Sequence, residues 1–255
     1  MAVTLSFDAT DYQPGVRHPA HQHDCLHLSL VLSGCVAEAV NGVTEYAGAL
    51  SIVAKDAGVV HADQFGPTGA KLARLTLPSG TIGELIDDPR RAPSWQWKHH
   101  PDIAKSFLRL VRRASAGVTV FSSDDPDLLD ILALLTVRPA SSPKGRPPGW
   151  LEQIMSDLRH SWRPGLTVRD VARVAGVHPV YLARSVRRWY GTGVGKELRR
   201  LRFRRAVAAI AGSRATISSV AHETGFSDEA HLCRSFKQSL DISPRRYRAL
   251  LRGSA

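Results

Sequence analysis

Two segments in the last hundred residues of this chain repeat each other at a spacing of about fifty residues. A repeat of this kind indicates one supersecondary unit used twice. The matched residues agree in type and order, at an offset of 49 that becomes 50 after one inserted residue: Val168, Val171, Ala172, Gly176 and Val177, then Leu182, Arg184, Ser185 and Arg187, against Ile217, Val220, Ala221, Gly225 and Phe226, then Leu232, Arg234, Ser235 and Lys237.

Each copy has the pattern of two helices joined by a tight turn. An apolar-periodic helix is followed by a glycine suited to positive φ and then by a helix start signal. In the first copy, Thr167 and Asp170 predict a capping box, and His178-Pro179 predicts a second helix with proline at its first position. In the second copy, Ser227 is the predicted N-cap. The sequence therefore predicts two helix-turn-helix units.

The second helix of such a unit lies in the major groove of DNA, where its exposed N-terminal residues reach base edges. Arginine suits guanine, and glutamate suits the cytosine amine. A contact with phosphate alone is the alternative at each position. The predicted DNA-binding residues are His178, Val180, Ala183, Arg184 and Arg187 in the first unit, and Ser227, Glu229, Ala230, Cys233, Arg234 and Lys237 in the second.

The net positive charge of the chain lies in the same region. From residue 150 onward, 20 Lys and Arg stand against 8 Asp and Glu, whereas the first 149 residues hold 14 against 15. The C-terminal part thus carries +12 and the N-terminal part −1. An arginine-rich domain suits phosphates and guanine edges. Between the units, residues 194–210 predict one helix of about 25 Å, a spacer for two recognition helices in successive major grooves.

Residues 150–252 resemble the DNA-binding domain of the AraC/XylS family of transcription regulators. The second unit carries the resemblance furthest, through Gly225-Phe226-Ser227-Asp228, Leu232 to Lys237, and Ser243-Pro244 with Tyr247. Asp241 stands where the family usually has glycine. The resemblance implies a sequence-specific regulator that binds double-stranded DNA, with RNA polymerase as a further partner. We expect a homodimer.

The rest of the chain divides by composition. Residues 1–80 show short β-branched and apolar runs. Residues 81–138 predict helices whose apolar stripes pack either on this N-terminal part or on a second subunit as dimerisation segments. Residues 139–149 (PASSPKGRPPG) predict a linker. Residues 150–255 form the predicted DNA-binding domain. The fold class is therefore α+β. The front part resembles the cupin-like sensor barrel found in members of the same family.

Four histidines are candidate effector or metal residues. The segment from Gly15 to Gly34, with His21, His23 and His27, has the spacing of the first cupin motif, and His61 ends a strand like the second motif. Positions 21, 23 and 27 share parity, so on an unbroken strand the three imidazoles and Cys25 leave one face. Such a set suits Zn, Ni, Cu or Fe. The alternative is an organic effector with no metal.

These observations predict a cytoplasmic regulator controlled by a small-molecule or metal effector. Three scattered cysteines indicate a reducing compartment, and neither a signal peptide nor a membrane span is evident. One alternative is a metal-dependent cupin enzyme that also binds DNA. We do not expect an enzyme and assign no catalytic residue, because the sequence suggests neither a nucleophile nor a general acid. A second alternative is an architectural DNA binder without a sensor.

Overall fold

The computed structural model describes residues 2–79, 95–99, 101–136, 146–161 and 163–252. It is a mixed helix and sheet structure, which confirms the predicted α+β class. The strands are β1 (Ala2–Thr4), β2 (Ser6–Tyr12), β3 (Arg17–His21), β4 (Leu26–Val40), β5 (Val43–Gly48), β6 (Ile52–Lys55), β7 (His61–Leu77), β8 (Trp95–Lys98) and β9 (Val120–Ser122). The helices are α1 (Pro101–Ser115), α2 (Pro126–Thr136), α3 (Gly149–Ser161), α4 (Val168–Val174), α5 (Pro179–Tyr190), α6 (Val194–Gly212), α7 (Ile217–Glu223), α8 (Glu229–Leu240) and α9 (Pro244–Leu251).

The predicted barrel is an open sheet. Seven antiparallel strands are paired in the order β2-β7-β4-β6-β8, with β3 added to β7 and β5 added to β4. Within the described ranges the two ends of this path, β2 and β8, do not pair with each other, so the sheet is not a closed barrel. The long strands β4 and β7 form its centre, in a register that opposes Leu26 to Leu77 and Leu30 to Ala73.

Helices cover the apolar face that an open sheet leaves exposed, and this second layer takes the place of closure. Helices α1 and α2 pack on each other, and α1 also packs on β2. The apolar stripes predicted for these two helices are buried within the chain. The buried residues that the helices and strands share include Leu28, Leu30, Leu75, Ile103, Phe107, Leu110, Val111, Leu128 and Leu132.

The segment predicted as helical, 81–138, also supplies two short strands. Strand β8 pairs with β6, Val53 opposing Trp97, and β9 pairs with β1, Val3 opposing Phe121. Both strands are too short for an alternating pattern to stand out from the sequence around them. The first part of this segment, 81–94, and most of the predicted linker, 139–145, lie outside the described residues, and α3 begins at Gly149.

The predicted C-terminal domain contains helices α3 to α9 but two separate cores. The first core joins α3, α4, α5 and the start of α6 around Leu151, Leu182 and Leu198. The second unit, α7 and α8 with α9 and the end of α6, shares one core with the N-terminal sheet. No helix in the described parts of the chain has the length and apolarity needed to span a membrane.

Three aromatic residues of the second unit pack together in the core that this unit shares with the sheet. The rings of Phe203 and Phe236 meet edge to face with centroids 5.0 Å apart, and Phe236 meets Tyr247 at 5.9 Å. The fully buried hydroxyl of Tyr247 donates a hydrogen bond to the carbonyl oxygen of Leu32 in β4. The second unit is thus fixed to the sheet by apolar area and by a buried hydrogen bond.

We predict that Tyr247→Phe lowers the free energy of unfolding by about 1 to 3 kcal/mol, because the buried carbonyl of Leu32 loses its donor. Urea unfolding of the full chain measures this loss. Tyr46→Phe removes the same hydroxyl from a side chain that is 76% exposed, and it should leave the midpoint unchanged. Equal midpoints for both variants would contradict the assignment of this hydrogen bond.

Candidate DNA-binding surface and histidine-lined cavity

The first helix-turn-helix unit has the predicted start signals. The Thr167 hydroxyl accepts from the Asp170 backbone N–H, and the Asp170 carboxylate accepts from the Thr167 backbone N–H at 3.0 Å, which completes a capping box. Helix α5 begins with His178 as N-cap and Pro179 at the first position. Gly176 lies between the two helices at φ 65°, a conformation that favours glycine. The tight turn and both caps are confirmed.

The predicted readers of the first unit lie on the exposed side of α5. Leu182 and Val186 are fully buried, as predicted. The exposed residues recur at helical spacing, which places them on one face: Val180, Ala183, Arg184 and Arg187. His178 is exposed, but its Nδ1 also accepts a hydrogen bond from the Val180 backbone N–H at 3.3 Å. It caps the helix at the end of this face.

The second unit differs from the prediction at its cap. Asp228, not Ser227, is the N-cap of α8, because its carboxylate accepts from the His231 backbone N–H at 2.6 Å. The helix therefore begins one residue later than predicted. The Ser227 hydroxyl instead donates to the Asp228 carboxylate at 3.1 Å. A charged acceptor at a helix N-terminus is favoured over a hydroxyl by the helix dipole.

The predicted DNA-binding residues of the second unit are of two kinds: some are exposed, and others contact neighbouring residues. Ala230 and Arg234 are exposed, while Leu232 and Phe236 are fully buried, as predicted. The remaining candidates have partners or packing of their own. Glu229 lies 3.7 Å from the Arg245 guanidinium, Lys237 pairs with Asp241 at 2.9 Å, and Cys233 is half-buried against the core.

Helix α6 joins the two units as one rod. It runs from Val194 to Gly212, 19 residues, and so spans about 28 Å. The arginines of this helix differ in their surroundings. Arg200 pairs with Glu197 at 2.6 Å, whereas Arg204 donates to the Ala49 carbonyl and to the Ser51 hydroxyl, both at 3.1 Å. Arg204 therefore joins α6 to the N-terminal sheet by hydrogen bonds.

Three of the four candidate histidines converge beside the sheet. The ligand atoms of His21, His23 and His61 all lie within 4.8 Å of one another. The ring centroids of His21 and His61 are 4.3 Å apart, and those of His23 and His61 are 5.2 Å apart. The rings of His27 and His23 are tilted by 47° with centroids 4.3 Å apart, but His27 does not belong to this group.

One unbroken strand carrying these histidines, the predicted basis of this convergence, is not formed. The histidines do not share one unbroken strand, because β3 ends at His21 and β4 begins at Leu26. His23 and Cys25 lie in the connection between them, and Cys25 does not join the group. The cluster forms because β3 pairs with β7, with His21 directly opposite His61.

Two of these imidazoles are oriented by backbone carbonyls. Nδ1 of His21 is 2.8 Å from the Pro19 oxygen, and Nδ1 of His61 is 2.9 Å from the Val59 oxygen. A carbonyl oxygen only accepts, so each Nδ1 carries a proton, and in the neutral ring each Nε2 keeps its lone pair. The Nε2 of His61 is buried and, within the described residues, has no hydrogen-bond partner. A lone pair so placed is suited to a metal ion.

Burial favours the neutral form of His23, His27 and His61. Desolvation, followed by the charge of Lys55, lowers the pKa of His23 to about 4, and desolvation lowers the pKa of His61 as well. Desolvation and then Arg74 lower the pKa of His27 to about 3. Neutral imidazole is the form that binds metals.

Five residues beside the histidines were not predicted from the sequence. Glu38 is 1% exposed and accepts from Lys55 Nζ at 2.6 Å and from the indole N–H groups of Trp95 and Trp97 at 2.5 and 2.7 Å. Burial alone raises its pKa, but Lys55 and Trp95 outweigh that effect and lower it. Asp63 lies 3.8 Å from Nε2 of His61. The alternation that places Glu38 and Asp63 on one face of their strands is visible in the sequence. The sequence does not show that this face is the one beside the histidines.

Several of these side chains, among them His21, His23 and Glu38, line a cavity of about 370 Å³. Its lining is partly apolar and partly polar. The apolar residues include Val36, Val53, Phe65, Leu72 and Trp97, and the polar residues are Tyr12, His18, His21, His23, Ser29, Glu38, Lys55, Asp63 and Arg74. A cavity of this size and mixture is typical of a small-molecule site.

Residues 171–250 match the family model of a helix-turn-helix domain, which confirms a helix-turn-helix domain in the C-terminal part. The curated relatives include the HTH-type transcriptional regulator GlxA of Rhizobium meliloti, 38% identical over 29% of this chain and 23% of that protein. Another is the regulatory protein PocR of Salmonella typhimurium, 29% identical over 32% of this chain and 27% of that protein. The chain thus spans about a quarter of the length of each of these two.

The similarity to solved structures is broad but low. ToxT from Vibrio cholerae, in a structure bound to (E)-4-(8-methylnaphthalen-1-yl)but-3-enoic acid, is 11% identical over 97% of this chain and 99% of its own, with a TM-score of 0.40. A regulator with an AraC-type DNA-binding domain from Chromobacterium violaceum is 25% identical over 40% of this chain and 91% of its own, with a TM-score of 0.38.

We predict that Glu38→Gln lowers the free energy of unfolding by about 3 kcal/mol, because it leaves the Lys55 ammonium buried without a counter-charge. Chemical denaturation measures the loss. A Glu38→Gln, Lys55→Met double variant should recover part of the lost stability, since it removes the unpaired charge. Glu152→Gln, an exposed change on α3, serves as control and should have little effect. A single variant as stable as the control would show that the pair is not buried.

Proposed function

We propose that the chain is a sequence-specific DNA-binding transcription regulator whose activity depends on an effector bound in the histidine-lined cavity. The observation that carries the first part is the pair of capped helix-turn-helix units joined by one helix. Their exposed faces on α5 and α8 present Arg184, Arg187 and Arg234. Curated relatives of this domain are named as transcriptional regulators, which supports regulation over enzymatic activity. Cytoplasmic location, a homodimer and contact with RNA polymerase belong to the same proposal.

We predict that Arg234→Ala relaxes base preference at one position of the DNA site and weakens binding to the preferred duplex by about 1 to 3 kcal/mol. Selection from a random duplex library with the full chain gives the preferred site, and titration of that duplex gives the affinity. Arg17→Ala removes the same charge from an exposed position on the N-terminal sheet. It should change neither quantity.

The same experiment distinguishes this proposal from an architectural role. An architectural binder would enrich no defined sequence from the library. If Arg234→Ala bound with unchanged preference and affinity, the assigned face of α8 would be wrong.

We propose further that a divalent transition metal binds to His21, His23 and His61. The support is the buried Nε2 of His61, which has no hydrogen-bond partner within the described residues, and the two carbonyls that orient the rings. Asp63 is the favoured fourth ligand over His27, because its carboxylate forms one group with Glu38 and His61 and another with His18 and His21. Zn, Ni, Cu and Fe all suit such a set, and the metal would supply a fixed positive charge at the cavity wall.

An organic effector is compatible with the same cavity. Its lining includes the apolar side chains of Phe65 and Trp97 and the charged groups of Arg74 and Lys55. The volume of about 370 Å³ suits a small ligand beside the histidines.

We predict that His61→Ala lowers the affinity for Zn²⁺ by at least about tenfold, since it removes one of three imidazole ligands. Asp63→Asn should weaken Zn²⁺ binding by a similar factor, and His27→Ala should leave it nearly unchanged. Isothermal titration of the full chain measures all three. His222→Ala, an exposed change on α7, is the control. Equal losses for His27→Ala and Asp63→Asn would refute the choice of the fourth ligand.

A further inference from the structure

Strands β6 and β8 connect the histidine-lined cavity to the helix that joins the two DNA-binding units. Both are four residues long and pair with each other from Ile52 opposite Lys98 to Lys55 opposite Trp95. Within the described ranges, β8 is the last strand of the sheet path and pairs on one side alone. Its position therefore depends on β6 and on its side-chain contacts.

The cavity end of this strand pair is held by Glu38. Its carboxylate accepts from Lys55 of β6 and from the two indole N–H groups of β8. It also belongs to the group of ligand atoms, with His61 and Asp63, that lie within 4.8 Å of one another. Glu38 is thus shared between the strand pair and the candidate ligand site.

The opposite end of the strand pair meets α6. Ser51 precedes β6 and is fully buried, and its hydroxyl lies 2.9 Å from Nδ1 of His99, the residue after β8. The same hydroxyl accepts from the Arg204 guanidinium at 3.1 Å. Arg204 also donates to the Ala49 carbonyl at 3.1 Å. Four residue steps of strand, about 13 Å, separate Ser51 from Lys55.

We infer that the β6–β8 strand pair couples occupancy of the histidine-lined cavity to the position of α6. This inference rests on the proposed function. A cation at His21, His23 and His61 attracts the Glu38 carboxylate in a buried site where charges interact strongly. The indole N–H groups and Lys55 then lose part of their shared acceptor, so β8 shifts along β6. The hydrogen bonds of Ser51 with His99 and Arg204 carry that shift to α6.

Because α6 joins both units, its movement changes how the two recognition helices meet DNA together. The affinity of the chain for DNA should therefore differ with and without the cation. By linkage, DNA changes the affinity for the cation by the same factor. Strand β8 also carries two of the five tryptophans of the chain, so the shift should be visible in tryptophan emission.

The test uses Zn²⁺ as the probe, the full chain, and a duplex selected by that chain from a random library. Three quantities are measured separately: Zn²⁺ affinity, duplex affinity without Zn²⁺, and the factor by which Zn²⁺ changes duplex affinity. In the unsubstituted protein we expect a factor of at least about five. Ser51→Ala should reduce it to less than about twofold while Zn²⁺ affinity stays within about threefold. Ser106→Ala removes a buried hydroxyl that bonds Asp130 outside this strand pair, and it should keep the full factor.

Two further variants keep the inference testable if Ser51→Ala folds poorly. Trp95→Phe removes one indole donor from a half-buried position and should also reduce the factor. Arg204→Met breaks the same connection from the side of α6 and should reduce the factor as far as Ser51→Ala does. Zn²⁺ should quench or shift tryptophan emission less in Trp95→Phe than in the unsubstituted protein.

The outcomes separate the inference from the proposal beneath it. If Ser51→Ala and Trp95→Phe bind Zn²⁺ and the duplex but keep the full factor, the strand pair does not couple the sites. A factor of one in the unsubstituted protein, with both ligands bound, overturns the inference as well. Failure to bind Zn²⁺ overturns the metal site and with it the coupling. Failure to prefer any duplex overturns the proposed regulator itself.

Discussion

The arrangement of this molecule depends on one hydrophobic core that the N-terminal sheet shares with the second helix-turn-helix unit. Phe203, Phe236 and Tyr247 are packed among the leucines of β4 and β7, and the Tyr247 hydroxyl is bonded to β4 itself. Separating the two parts would expose these aromatic side chains to water at a cost of several kcal/mol. A signal from the cavity therefore reaches the DNA-binding surface more readily through small shifts within this core than through detachment.

Helix α6 belongs to both cores, and this gives it a particular role. Its first half contributes Val194 and Leu198 to the first unit, while Phe203 and Val207 in its second half join the core of the sheet. The second unit and the sheet thus move as one packed body, and the first unit is attached to that body through the same helix. In the proposed coupling, a small rotation of α6 at Arg204 would be transmitted to α5 through this helix.

The features that the sequence predicts are those fixed by local interactions. The capping box at Thr167, proline at the start of α5, and the buried pairs on α5 and α8 follow from residues within one turn of each other. The open sheet, the insertion of β8 and the hydrogen bonds of Glu38 depend on residues far apart in the chain. The histidine cluster lies between these cases. Its three members were identified from the sequence, but they converge through strand pairing, and the proposed fourth ligand is Asp63, two residues after His61 on the same strand, in place of His27.

Asp241, which stands where the AraC/XylS pattern that this domain resembles has glycine, contributes to the contact between the second unit and the helices that cover the sheet. Asp241 ends α8 at φ 60°, a conformation that glycine adopts freely and that aspartate tolerates better than most residues. Glycine offers no side chain, whereas the Asp241 carboxylate lies 3.6 Å from Arg109 on α1 and 2.9 Å from Lys237. Arg109 in turn pairs with Asp127 at 3.0 Å at the start of α2. The substitution thus ties the end of the second recognition helix to the helices that cover the sheet, which a glycine at that position would not do.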